Sequence, residues 1–249
     1  LTYTNSRLEE IFRKLRQIPH IEIIRLGSRV PVTLPQRLFD EDLLRILEAY
    51  GPIWCNTHFN HPREIVKECE IAVKNLLRAG VPVNNQSVLL KGVNDHLETM
   101  KSLLLALLRI RVRPYYLFHA DPVRGTAHFR TSVWKGIEII EGLRGHISGL
   151  AIPTYVVDAP GGGGKIPLMP NYLLSVSEDS IILRNYEGLI VKYHPVLPSE
   201  EMWKQPVFSQ GVSELFYTRQ ISVNPFQSPR FHRRNYARRN HLQSEERLF

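Results

Sequence analysis

The chain has 249 residues, of which 43% are hydrophobic and 22% charged, a composition typical of a globular protein with a sizeable core. No apolar run approaches the roughly 18 residues of a membrane span, and no basic-then-apolar leader is present. A cytoplasmic protein without membrane contact is therefore expected. Since the sequence begins with Leu1 rather than methionine, an upstream portion is expected to be missing.

The net charge of +8 is shared unevenly along the chain. Residues 201–249 carry eight Lys and Arg against four Asp and Glu, with aromatic residues scattered among them. Such a tail is compatible with nucleic-acid binding, but a solvated, poorly ordered terminus is the interpretation that we prefer. Nucleic acid is therefore not an expected partner.

Helices and strands alternate along the first 175 residues. Apolar residues at helical spacing predict helices over 6–18, 40–51, 63–80 and 96–110. A short apolar run follows each of them and predicts strands within 19–27, 52–59, 81–90 and 113–121. Four strands, each preceded by a helix, predict βα units and a parallel sheet.

Polar side chains fall where these strands end. The carboxyl ends of parallel strands meet at one edge, and in parallel barrels the chemistry collects there. We therefore predict a site at this edge, formed from Arg25, Ser28, Asn56, His58, His61, Asn85, Gln86, His119 and Asp121.

The pattern changes after residue 150 to β-rich runs separated by Gly, Pro and charged turns. Strands are predicted within 154–158, 172–177, 180–185 and 189–194, packed beside the parallel sheet, with a glycine-rich loop passing over its mouth. The predicted organisation is a partial barrel over 1–150, a β-rich segment over 151–197 and a basic tail over 198–249.

Four consecutive glycines, Gly161 to Gly164, lead into Lys165. Glycines let backbone N–H groups approach an anion, but a nucleotide phosphate loop reads G-x-x-x-x-G-K-[ST]. Ala159 and Ile166 occupy two of its fixed positions, so ATP binding is not predicted. A lysine after a glycine turn suits pyridoxal phosphate, although many such loops are simply flexible.

Several longer segments resemble one family, the lysine 2,3-aminomutases, over about residues 1–195. They are IPHIEIIRLGSRVPVTLPQR, CNTHFNHPREI, VPVNNQSVLLKGVND, RIRVRPYYLFHAD, HFRT, KGIEIIEGLRGHISGLAIPTYVVDAPGGGGKIPLMPNY and ILRNYEG. The resemblance implies an α/β fold, a partial (β/α) radical-SAM barrel followed by a β-rich C-terminal extension. The four predicted strands would be the third to sixth of a (β/α)6 crescent, with an exposed apolar edge strand near residues 21–26.

The resemblance also implies roles for individual residues. Lys165 matches the lysine that forms the internal aldimine with pyridoxal phosphate, and Gln86 and His58 match positions near the S-adenosyl-L-methionine site. Asp121 and Asp158 match two carboxylates that hold the side-chain ammonium of the substrate L-lysine, and paired anions suit a buried ammonium. Without the resemblance, both aspartates would be assigned to turns.

The implied activity is a radical 1,2-amino shift between L-lysine and L-β-lysine in a homo-oligomeric enzyme. A relative that makes β-lysine for modifying a translation factor is an alternative. Glutamate as the substrate is disfavoured, because Asp121 and Asp158 would repel its side chain. A non-catalytic remnant whose basic tail binds nucleic acid is the alternative of a different class.

Three features depart from the family pattern. The C-x-x-x-C-x-x-C motif for the [4Fe–4S] cluster is absent, so the cluster ligands are expected upstream of Leu1 and the chain alone is expected to be inactive. His96 stands where zinc-binding members carry a cysteine, so zinc is not expected. The chain's cysteines are Cys55 and Cys69, and both are expected to be reduced thiols. From about Pro198 the tail is expected to diverge from the family.

Overall fold

The computed structural model of the chain describes residues 1–177 and 180–194. Its helices are α1 (Asn5–Arg16), α2 (Val30–Thr33), α3 (Glu41–Ala49), α4 (Lys67–Arg78), α5 (Leu97–Arg109) and α6 (Val133–Leu143). Its strands are β1 (Ile24–Gly27), β2 (Ile53–Thr57), β3 (Val83–Leu89), β4 (Arg113–His119), β5 (Thr154–Ala159), β6 (Gly164–Pro167), β7 (Leu173–Val176), β8 (Ile181–Arg184) and β9 (Ile190–Tyr193). The predicted basic tail, 198–249, lies outside the described residues.

Local signals account for the ends of the predicted helices. The Asp40 carboxylate caps α3 by accepting hydrogen bonds from the backbone N–H groups of Asp42 and Leu43. Gly80 follows α4 with a φ of +70°, in the left-handed region that glycine enters without steric cost. Both positions agree with the cap and the stop that the sequence predicts.

Strands β1 to β6 form one mixed sheet in chain order. Neighbouring strands from β1 to β5 are parallel, while β6 turns back and pairs antiparallel with β5. Strands β7 to β9 form a separate antiparallel sheet. The prediction of parallel βα units is confirmed, and β1 lies at the sheet edge as expected, with the Ile23 side chain beside it 60% exposed.

The first strand of the β-rich segment was placed wrongly by the sequence. We expected residues 154–158 to pack beside the parallel sheet, but β5 is its fifth parallel strand, with Leu117 opposite Tyr155. Helix α6, which precedes β5, was not predicted, because Gly136 and Gly142 weaken its helical signal. A buried face of α6 outweighs that propensity cost by packing into the core, through Ile139, Ile140 and Leu143.

The two faces of the parallel sheet differ in character, since successive side chains of a strand point to opposite sides. One face packs against the helices through buried residues that include Ile53, Cys55, Val83, Leu117 and Tyr155. The other face is polar and aromatic and lines two cavities. No helix in the described part of the chain is long and apolar enough to cross a bilayer.

Candidate active site

A cavity of about 480 Å³ lies on the open face, at the carboxyl edge of the parallel strands. This volume lies within the roughly 300–1,000 Å³ of small-molecule sites. It is lined by Arg25, Gly27, Asn56, His58, Gln86, Tyr115, Tyr116, Phe118 and Lys165. Five of the predicted site residues therefore share one cavity, namely Arg25, Asn56, His58, Gln86 and Lys165. None of its lining residues in the described part of the chain is acidic.

The glycine-rich stretch forms the turn between β5 and β6. Gly161 and Gly162 adopt φ values of +69° and +81°, which only glycine tolerates routinely. The turn places Lys165 directly opposite Asp158 in the antiparallel register, and the Lys165 Nζ lies 3.0 Å from the Asp158 Oδ2. Because both side chains are about 40% exposed, this ion pair contributes little to stability. Its main effect is to orient the Lys165 amine at the cavity.

Aromatic residues of β4 form the wall of the cavity beside Lys165. The ring centroids of Tyr115 and Tyr116 lie 3.9 Å apart, those of Tyr116 and Phe118 5.6 Å apart, and the Lys165 Nζ lies 5.5 Å from the Phe118 centroid. An irregularity in the β3–β4 register lets both tyrosines line the cavity although they are adjacent in sequence. These aromatic residues were not among the site residues predicted from the sequence.

His58 and Gln86 form a second feature of the same cavity. Burial lowers the pKa of His58 below the ordinary 6.5, and the nearby Arg29 charge lowers it further. A hydrogen bond with the Gln86 side chain acts in the opposite direction. His58 is therefore a neutral imidazole at pH 7, available as a donor or an acceptor.

Asp121 is not brought to this cavity. It lies two residues beyond the end of β4, is exposed, and does not line the cavity that contains Lys165. Its neighbour His119 points into the core instead, where the His119 Nδ1 lies 2.8 Å from the Tyr155 hydroxyl. Burial raises the pKa of Tyr155 to about 12 and lowers that of His119, against the effect of the Asp121 charge. Neither of the two predicted substrate aspartates lines the cavity, and Asp158 is connected to it through its ion pair with Lys165.

The two cysteines are free and buried, as expected. Burial raises the pKa of Cys55 to about 12, and burial is also the main cause of the raised pKa of Cys69. Both thiols are therefore packing residues rather than reactive groups. Among residues 1–177 and 180–194, no three His, Cys, Asp or Glu side chains are grouped closely enough to hold a metal ion.

Two half-buried histidines predict a pH dependence of stability. The pKa values of His58 and His119 are lowered in the folded chain, so the unfolded chain binds more protons as the pH falls below 6.5. The free energy of unfolding, measured with urea, is expected to decrease as the pH falls from 7 to 5 and to change little above that range. A chain carrying His58→Gln and His119→Gln should lose less stability over the same range. An equal loss in both chains would contradict this assignment.

The parallel α/β sheet, with a lysine in a ligand-sized cavity at its carboxyl edge, defines an α/β domain of the enzyme type. A family model described as "Lysine-2,3-aminomutase" matches residues 140–247. The L-lysine 2,3-aminomutase of Clostridium subterminale is 59% identical over 193 residues, which cover 78% of this chain and 46% of that protein. The chain belongs to the lysine 2,3-aminomutase family.

Other comparisons set the limits of this assignment. The glutamate 2,3-aminomutase of Clostridioides difficile is 52% identical over 192 residues, covering 77% of this chain and 45% of that protein. A radical SAM methyltransferase from Sphaerobacter thermophilus aligns with a TM-score of 0.41 and 18% identity, over 54% of this chain and 39% of that structure, too distant a likeness to support an argument. The chain spans about half the length of the curated relatives that it matches.

The family match also corrects one expectation about the tail. We expected the resemblance to end near Pro198, but the family model continues to residue 247, so this expectation was wrong.

Proposed function

We propose that the whole protein interconverts L-lysine and L-β-lysine. The observation that carries this proposal is the pairing of Lys165 with Asp158 at 3.0 Å, at the edge of a ligand-sized cavity and within a segment of this family. A carboxylate that already binds one primary ammonium group can bind another of the same chemistry. We therefore assign the side-chain ammonium of L-lysine to Asp158, and Asp121 is proposed to join it from its exposed position.

The residues around Lys165 fit pyridoxal phosphate. The Lys165 amine faces the cavity, the rings of Tyr116 and Phe118 offer apolar surface to a flat ring, and Arg25 offers an unpaired cation to a phosphate. When bound, this cofactor supplies an electron sink for chemistry at the substrate carbon that carries the amino group. We assign its covalent attachment to the Lys165 amine. Attachment of the cofactor would withdraw the Lys165 amine from its ion pair and leave the Asp158 carboxylate free for the side-chain ammonium of L-lysine.

His58 and Gln86 are proposed to contact S-adenosyl-L-methionine. Their mutual hydrogen bond fixes two side chains that both line the cavity and both have donor and acceptor atoms. The [4Fe–4S] cluster does not fit the described residues, because the two cysteines are buried with raised pKa values and lack the ligand spacing. Its ligands are proposed to lie in the part of the relatives that this chain does not span.

Other features stay part of the same proposal. They are the placement of the parallel strands in a longer (β/α)6 crescent, the homo-oligomeric state and the cytoplasmic location. Because β5 is a fifth parallel strand, the expected numbering of four strands as third to sixth does not account for all of them.

The test is the substrate preference of the full-length protein, since a 52% identical relative is named for glutamate. Reconstituted without oxygen with iron, sulfide, pyridoxal phosphate and S-adenosyl-L-methionine, it should convert L-lysine to L-β-lysine. Asp158→Asn should lower kcat/KM for lysine by about 30-fold, which corresponds to about 2 kcal/mol, because the substrate ammonium would lose its charged partner. Glu187→Gln, at an exposed carboxylate between β8 and β9 that does not line the cavity, is the matched control. Preferential turnover of L-glutamate would overturn the substrate assignment.

A further inference from the structure

Strand β3 carries four consecutive polar residues, Asn84 to Ser87, although it is a central strand of the sheet. Their side chains alternate between the two faces. Asn84 and Gln86 line the cavities of the open face. Asn85 and Ser87 are 1% and 2% exposed on the other face, where buried polar groups require partners.

The partners of Asn85 and Ser87 are backbone atoms of a single residue. The Asn85 Oδ1 accepts a hydrogen bond of 2.7 Å from the Phe59 N–H, and the Asn85 Nδ2 donates one of 3.1 Å to the Phe59 carbonyl. The Ser87 hydroxyl donates to the same carbonyl at 2.8 Å and accepts from the Asn85 amide, also at 2.8 Å. The Asn85 amide thus exchanges both bonds with Phe59, as a paired strand residue would.

These bonds extend the pairing of β2 and β3 beyond the end of β2. The backbone register ends with Thr57 opposite Asn85, and the Asn85 side chain then holds Phe59, two residues further along. The Phe59 ring is fully buried, so alternation directs the intervening His58 to the open face. There His58 lines the cavity and hydrogen bonds with Gln86.

We propose that Asn85, supported by Ser87, is a positioning residue that holds His58 in the cavity beside Gln86. The segment after β2 makes no further backbone pairing with β3 in the described register, so side chains hold this segment instead. The Asn94 side chain holds Asn60, the residue after Phe59, by donating a hydrogen bond of 2.8 Å from its Nδ2 to the Asn60 carbonyl. The inference rests on the proposed function only for its consequence, which is binding of S-adenosyl-L-methionine.

The experiment measures the pKa of His58 by NMR in the full chain carrying ¹³C-labelled histidine, with the His58 signal assigned by its loss in His58→Gln. In Asn85→Ala the pKa of His58 should rise toward 6.5, because the released segment loses its burial. Asn75→Ala is the matched control, since it removes a side-chain bond of 2.9 Å from Asn75 to the Leu38 carbonyl, away from the cavity. It should lower stability and leave the pKa of His58 unchanged.

Two outcomes would overturn the proposal. One is a folded Asn85→Ala chain in which the pKa of His58 is unchanged, and the other is an equal shift in Asn75→Ala. If Asn85→Ala does not fold, Ser87→Ala removes only one of the two bonds to the Phe59 carbonyl and should shift the pKa in the same direction by less. An unchanged value in that chain would equally reject the positioning role.

A second measurement separates this inference from the proposed function. Calorimetric titration of the full-length protein with S-adenosyl-L-methionine should show about tenfold weaker binding in Asn85→Ala, corresponding to about 1.4 kcal/mol. If the pKa of His58 shifts but the affinity does not change, Asn85 positions His58 and the assignment of His58 to that ligand is wrong.

Discussion

A Lys165→Ala chain is expected to lose its site-specific covalent labelling by pyridoxal phosphate. The lysine amine condenses with the aldehyde of that compound, forming a carbon–nitrogen double bond and releasing water, and borohydride then reduces the bond to a stable secondary amine. Lys165 is favoured over other lysines because it lines the cavity and faces the Phe118 ring. Peptide mapping by mass spectrometry after reduction measures which lysine carries the label.

Two other lysines serve as matched controls for this experiment. Lys91 and Lys135 both lie in family segments, but neither lines the Lys165 cavity, and the Lys135 Nζ already pairs with Glu138 at 3.1 Å. Lys135→Ala should therefore keep the label at Lys165. A label on Lys91 or Lys135 with Lys165 unmodified would reject the site.

Gly136→Ala is expected to destabilise the fold by about 1–3 kcal/mol, the usual range for overpacking a core. A Cβ atom at Gly136 would lie 2.1 Å from the Tyr155 Cζ and 2.5 Å from its hydroxyl oxygen. Tyr155 is fully buried and cannot withdraw without breaking its bond to His119. Replacing a helical glycine with alanine otherwise gains about 1 kcal/mol, so a net loss isolates the steric effect.

Gly142→Ala supplies the comparison within the same helix. A Cβ atom there would meet the Leu97 side chain at 3.0 Å, and the end of a leucine side chain shifts at little cost. This chain should be as stable as the parent or more stable, as measured by urea unfolding. Equal stabilities of Gly136→Ala and Gly142→Ala would show that Tyr155 is not held as the structure indicates.

The ion pair of Lys165 and Asp158 connects the chemistry of the site to its topology. The two residues are seven positions apart, and only the glycine turn brings them face to face across β5 and β6. In the proposed function, attachment of pyridoxal phosphate to Lys165 would free the Asp158 carboxylate for the side-chain ammonium of the substrate.

The sequence alone determined the local elements and indicated Lys165 as a candidate residue of the site. Helical spacing, the Asp40 cap and the Gly80 stop depend on residues within a few positions of one another, so they can be read without a fold. The same is true of the glycine stretch before Lys165. The role of that lysine came from the resemblance to a family rather than from spacing.

Only the tertiary structure decided which elements and side chains meet. The apolar run at 154–158 predicted a strand but carried no information on its neighbour, and burial of Tyr155 beneath α6 placed it in the parallel sheet. The aromatic wall depends on the register irregularity between β3 and β4, and the hold of Asn85 on Phe59 joins residues 26 positions apart. Such contacts arise from the summed packing of the whole core, which no local stretch of sequence encodes.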